Sequence, residues 1–148
     1  NVDKWKLAVV FQMMFLGVPS VFYGDEQGFV GNLEAEYRRK MEFDTNGELF
    51  AFYKKLIELR KSQKAVRQGD YRTVFSKEES YLYAFSRNVD NESVVVILNA
   101  SDSKADLAMV LEKIPESDCG NWRGNKVLLE HNLNANELGA YGYLVLKV

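Results

Sequence analysis

Gly17-Val18-Pro19-Ser20-Val21-Phe22-Tyr23-Gly24-Asp25-Glu26 decides how the first third of this 148-residue chain is read. A Gly-Val-Pro turn signal opens a short apolar run, and the run ends where Gly24 hands over to two carboxylates. That pattern predicts a buried strand over residues 18–23 whose last residues emerge at a surface. Pro19 is compatible with a strand only at its beginning, where a missing N–H costs no central ladder bond. The carboxylates then stand at the carboxyl end, where α/β folds place ligands. Asp25 and Glu26 are adjacent and so point to opposite faces, which prevents them from flanking one scissile bond as a pair. One of them contacts a ligand, or both cap the next turn or pair with Arg38 or Arg39.

Upstream, residues 3–16 read as a helix with Asp3 as N-cap and Gly17 as its left-handed stop. Trp5, Leu7, Val9, Val10, Phe11, Met13, Met14 and Phe15 leave it almost no polar face. Such a helix must be covered on several sides, either within a larger assembly or at the centre of a compact domain. Downstream, residues 27–44 form a long connection with a charged cluster, functional or simply solvated. Thr45 and Glu48 have the spacing of a capping box and open a second helix that runs to Ser62. Its apolar face is Leu49, Phe52, Tyr53, Leu56 and Leu59.

After Gly69-Asp70 the pattern changes. Residues 71–75, 81–87, 93–98, 105–111, 126–130 and 138–147 are short β-branched or aromatic runs, with a hairpin signal at Asn88-Val89-Asp90-Asn91. Six strands without intervening helices predict an antiparallel sandwich or sheet pair. Residues 1–68 and 69–148 are therefore expected to be separate units. Residues 117–125 read as a loop, in which Trp122 stacks on a sugar or packs on the sheet.

Composition narrows the function. With 47% apolar and 13% aromatic residues the chain can bury a core, and a net charge of -2 gives no electrostatic case for nucleic acid or an anionic membrane. A single Cys119 and a single His131 argue against a His/Cys metal site and exclude an internal disulfide. The longest apolar run falls far short of the roughly 18 residues of a membrane span. No cofactor is expected, and the compartment stays open.

Several spaced motifs together resemble the end of the catalytic barrel in the α-amylase family of glycoside hydrolases, on its neopullulanase and cyclomaltodextrinase branch. They are the 17–28 segment, then Arg38 with Met41-Glu42-Phe43-Asp44, then Phe52-Tyr53-Lys54-Lys55-Leu56-Ile57-Glu58-Leu59-Arg60. The likeness continues through Tyr83-Ala84-Phe85-Ser86-Arg87 and Val94-Val95-Val96-Ile97-Leu98-Asn99. It implies an α+β fragment: the last β/α units of a TIM (β/α)8 barrel followed by an antiparallel β-sandwich domain. The family hydrolyses or transfers α-glucosidic bonds with retention, using an Asp nucleophile, a Glu acid/base and a second Asp. Retention needs two carboxyls about 5–5.5 Å apart. The family sets this trio on strands four, five and seven. The chain resembles only the part of the barrel beyond strand seven, so no catalytic residue is expected here.

The resemblance also places Tyr23, Glu26 and Arg38 at the rim of a sugar-binding cleft. Where many relatives carry Asp-Pro before that Arg, this chain has Leu33-Glu34-Ala35-Glu36-Tyr37. The implied partner is an α-glucan oligosaccharide, met through a parent enzyme in which this piece closes the barrel. The competing readings are an independent carbohydrate-binding module and a small all-β interaction domain. An apolar helix and an open strand edge are expected to make the isolated chain self-associate as a homodimer or leave its first third poorly ordered.

Overall fold

A computed structural model describes residues 1–113 and 124–148. The expectations for Cys119 and Trp122 lie outside the described residues. Helix α1 spans Val2–Met14. Its N-cap is Asn1 rather than Asp3: the Asn1 side-chain oxygen accepts the N–H groups of Asp3 at 2.9 Å and Lys4 at 3.3 Å. Asp3 is thereby left in the first turn, where a carboxylate suits the helix dipole, and it reaches His131 at 3.0 Å.

The strand expected over residues 18–23 does not form. No strand of the described residues lies beside it, and a strand without a ladder partner leaves its backbone groups to other acceptors and donors. Here those are side chains: Gln12 donates to the Ser20 carbonyl, and the Phe22 N–H donates to the Asp25 carboxylate at 3.0 Å. The apolar side chains of the run consequently stand in solvent, with Val18 96% and Phe22 61% exposed.

After a 3-10 turn at Asp25–Gln27 and a single helical turn α2 (Glu34–Tyr37), helix α3 spans Glu48–Ser62 and α4 Lys64–Gln68. The capping box expected from Thr45 is absent, and Gly47 is the N-cap without a side-chain bond. Asp44 closes a local turn by accepting the Asn46 N–H at 2.9 Å, while the Glu48 carboxylate reaches across to the Lys6 ammonium. The helix ends at Ser62 as its periodicity predicts, and buries Tyr53 and Leu56.

Strands β1 (Asp70–Ser76), β2 (Leu82–Val89), β3 (Glu92–Asn99), β4 (Ala105–Asp106), β5 (Lys126–Asn134) and β6 (Glu137–Lys147) complete the chain. The strand expected over residues 105–111 is only two residues long, because Ala108–Leu111 turn into helix α5. Asp106 promotes this by accepting the Ala108 N–H at 2.8 Å. All six strands belong to one antiparallel sheet, where two packed sheets were the expectation. The order is β1-β2-β3-β6, and β6 carries β3 and β4 on successive stretches of one edge and β5 along the other. Register shifts at Thr73/Phe75, Val127/Leu129 and His131/Leu133 curl the sheet.

Alternation sorts the core. On β3, Val94, Val96 and Leu98 face α1 and α3, while Val95 and Ile97 face Leu107 and Val110 of the α5 region. β6 repeats this with Tyr143 and Val145 on the helical face and Leu144 and Leu146 on the other. Both faces are covered, which is why the β3 run is apolar throughout instead of alternating with polar residues. The helical face is continuous across residue 69, since Leu7, Met13 and Leu56 share one cluster with Phe85 and Val145.

Glu92 ties α4 to the sheet. Its carboxylate accepts the Ala65 N–H at 2.9 Å and pairs with Lys147 at 3.1 Å. The Ala65 bond first, and then Lys147, hold its pKa below the ordinary 4.5. A depressed folded-state pKa contributes stability that is present above the unfolded value and lost as pH falls through the folded one. Glu92→Gln is therefore expected to cost about 1 kcal/mol at pH 7. Urea unfolding at a series of pH values should show the difference from wild type shrinking as pH drops below the ordinary carboxylate range.

Candidate functional site

The residues expected at a cleft rim are placed by the turn that replaces the strand. Gly24 and Gly28 take left-handed φ of 87° and 69° and bracket the 3-10 turn. Gly24 is required twice over, since a Cβ there would lie 2.4 Å from the Phe29 ring. The turn holds Tyr23 edge-on to Phe29, with ring centroids 6.2 Å apart, and the Tyr23 hydroxyl donates to the Arg39 carbonyl at 3.0 Å. The Arg39 guanidinium sits 4.0 Å from the centre of the Phe29 ring.

Tyr23 and Glu26 thus share one turn, while Arg38 is directed elsewhere. It pairs with Glu34 at 2.8 Å, one helical turn back, with both side chains in water. Glu36 secures the same loop by accepting the N–H groups of Asn32 and Leu33 at 2.6 and 3.2 Å, bonds that lower its pKa. The departure from Asp-Pro at residues 33–37 accordingly forms a self-capped helical turn.

A groove of about 600 Å³ runs between α1 and the turn, lined by Lys4, Trp5, Gln12, Asp25 and Tyr53 among others. The Trp5 indole N–H donates to the Tyr53 hydroxyl at 3.3 Å across its floor. It is Asp25, not Glu26, that faces this groove. Period-two alternation allows one of the two acids to face inward but does not say which. A second cavity, of about 390 Å³, has two acids, Asp90 and Glu92, and both are engaged. Asp90 pairs with Lys64 at 2.6 Å, and Glu92 with Lys147 and the Ala65 N–H. Neither cavity therefore offers a free carboxylate pair of the kind that retaining hydrolysis needs. Among the described residues no cluster of His, Cys, Asp and Glu could hold a metal ion, and no helix is long and apolar enough to cross a membrane.

Two arginines not singled out by residue type organise the region behind the turn. Arg87 is only 1% exposed on β2. It donates through Nε to the Asp70 carbonyl at 2.9 Å and through its terminal nitrogens to Gly69 at 2.9 Å, Phe15 at 2.9 Å and Met14 at 3.1 Å. Arg60, from the last turn of α3, donates to Met13 at 2.5 Å, to Phe15 at 3.3 Å and to Gly17. The carbonyls of Met13, Met14 and Phe15 lie beyond the last helical donor of α1, so the two guanidiniums occupy the negative end of that helix. Burial lowers the pKa of both, and for Arg87 the charge of Arg60 adds to the effect. The available signal is a single arginine inside the otherwise buried strand Leu82–Val89.

Phe85 and Tyr143 are buried in the helical face of the core and Tyr83 packs against it half-buried. Tyr83 and Phe85 meet Phe11 at centroid distances of 6.3 and 6.1 Å, and Tyr143 stacks on His131 at 5.2 Å. Burial, with the Asp3 charge behind it, pushes the Tyr143 hydroxyl up to about 12.

No protein-family model matches the chain. Individual proteins do. Neopullulanase 2 of Thermoactinomyces vulgaris is 39% identical over 125 residues, 82% of this chain and 21% of its own length. A cyclomaltodextrinase of Geobacillus thermopakistaniensis is 32% identical over an alignment that takes in 100% of this chain and 26% of the relative. Among solved structures, the maltogenic amylase from S. marinus superposes with a TM-score of 0.75 at 27% identity, over 99% of this chain and 19% of that one. The chain thus spans about a fifth to a quarter of the length of the relatives it matches.

Proposed function

Belonging as it does to the α-amylase family of glycoside hydrolases, among neopullulanases and cyclomaltodextrinases, the chain is, we propose, the barrel-closing C-terminal part of a retaining α-glucan hydrolase. Residues 1–68 contribute the last β/α units of a (β/α)8 barrel, and residues 69–148 its C-terminal antiparallel β domain. Tyr23, Glu26 and Arg38 belong to the rim of the glucan cleft, and the nucleophile, the acid/base and the third carboxylate lie outside this chain.

One observation carries this reading. The apolar run of residues 18–23 has the composition of a buried strand, yet Val18 and Phe22 stand in water. Neighbouring barrel strands, supplied by the rest of the parent enzyme, would bury that run. The same exposed surface would favour self-association of the chain in isolation. The inward packing of Tyr83, Phe85 and Tyr143 favours a structural role over a free-standing sugar-binding module, which would keep such rings in solvent.

The chain alone is expected to release no chromophore from a chromogenic maltoside above background. It is also expected to give no heat on calorimetric titration with maltoheptaose. Turnover would place catalytic acids within these residues, and millimolar or tighter binding would favour the module.

A further inference from the structure

We propose that Arg60 and Arg87 are positioning residues, through which the β-sheet sets where the 17–26 segment leaves helix α1 and hence where Tyr23 and Glu26 stand. The inference rests on the cleft-rim role proposed for that segment. Val18, Val21, Phe22 and Tyr23 are all exposed, so apolar packing does not fix the segment in place. Apart from the Tyr23–Phe29 ring contact, its attachments are polar and directed at backbone carbonyls: Arg60 on Gly17, Gln12 on Ser20 and the Tyr23 hydroxyl on Arg39. The Phe15 carbonyl, two residues before Gly17, accepts from both guanidiniums, at 2.9 Å from Arg87 and 3.3 Å from Arg60.

Arg87 is in turn fixed to the sheet domain by the carbonyls of Gly69 and Asp70. That junction admits no slack, because a Cβ on Gly69 would lie 2.3 Å from the Ala65 carbonyl. A rigid line of contacts thus runs from β1 and β2 through Arg87 to Phe15, and from α3 through Arg60 to Gly17. Lysine could keep the charge but has neither the fork nor the reach to serve three separated carbonyls.

Amide hydrogen exchange on the chain tests the coupling. In Arg60→Lys, the hydrogen-bonded amides of Phe22, Asp25, Gln27 and Gly28 are expected to exchange about tenfold faster than in wild type, while those of residues 94–98 stay within about twofold. Arg87→Lys, which leaves Arg60 in place, should accelerate the same amides in the same direction and keeps the test open if Arg60→Lys folds poorly. Unchanged exchange of the segment in both variants would overturn the proposal.

In the full-length enzyme, Arg60→Lys should raise KM for maltoheptaose about tenfold with kcat within about twofold. A merely structural arginine would lower Tm and leave KM alone, and that result would also overturn the proposal. A full-length protein without any α-glucan turnover would instead refute the proposed function, leaving the exchange measurement to decide the coupling.

Discussion

Arg87→Met should lower the unfolding free energy by on the order of 3–5 kcal/mol, one of the two largest single-residue effects expected in this chain. Methionine nearly matches the side chain in length and apolar volume, so the loss isolates the guanidinium. Four carbonyls, those of Met14, Phe15, Gly69 and Asp70, accept from it. Each that stays buried without a donor costs about 1–3 kcal/mol, offset in part by no longer dehydrating a cation. The favourable side of the wild-type arrangement is that no ion pair is needed: the charge lies at the carbonyl end of α1, where the dipole is negative. Denaturant unfolding followed by Trp fluorescence measures the change. A shift below about 1 kcal/mol would mean that water replaces the arginine without penalty.

Phe85→Ala is expected to cost about 3–5 kcal/mol, by a different route. Phe85 is fully buried and meets four rings, Phe11, Phe15, Tyr71 and Tyr83, at centroid distances of 6.1, 5.9, 5.6 and 5.8 Å. The ring sits at the joint between α1 and the sheet, so its removal opens a cavity that neither element can close alone. Phe85→Leu, which refills most of the volume, should recover more than half of the loss. Equal losses in the two variants would show that edge-to-face ring geometry, and not filled volume, holds the joint.

These two positions mark the limit of what the sequence discloses. Elements specified by nearby residues are legible in it: helix α3 ends at Ser62 where its apolar period stops, and the hairpin turns at Asp90-Asn91, where Asp90 accepts a left-handed φ of 51°. The order and spacing of the strands are legible for the same reason. What is not legible depends on partners distant in sequence. The 18–23 run has every local mark of a strand, but a ladder needs a second chain segment and none of the described strands lies beside it. Thr45 has the spacing for a cap, but Lys6 takes the Glu48 carboxylate that a capping box would use.

The candidate site divides in the same way. Tyr23 and Glu26 fall together on one turn because they are close in sequence, whereas Arg38 turns to its neighbour Glu34. That Asp25 rather than Glu26 looks into the groove, and that Arg60 and Arg87 converge on Phe15, are facts of tertiary packing, the latter over separations of 45 and 72 residues. A family resemblance reaches such residues only as members of a motif, without saying what they touch.

Strand β6 comes after every other strand in chain order, yet it lies in the interior of the sheet, bonded to β3, β4 and β5. During synthesis, β1 to β3 can assemble as a meander, but the free edge of β3 has no lateral neighbour until β6 arrives. The nascent chain must then expose Val95, Ile97 and the edge of β3 until the later residues that cover them are added, roughly forty of them before β6 pairs, at about 5–20 residues per second. For those few seconds the product depends on what shields that edge, the ribosome surface or a chaperone, more than on the stability of the finished fold.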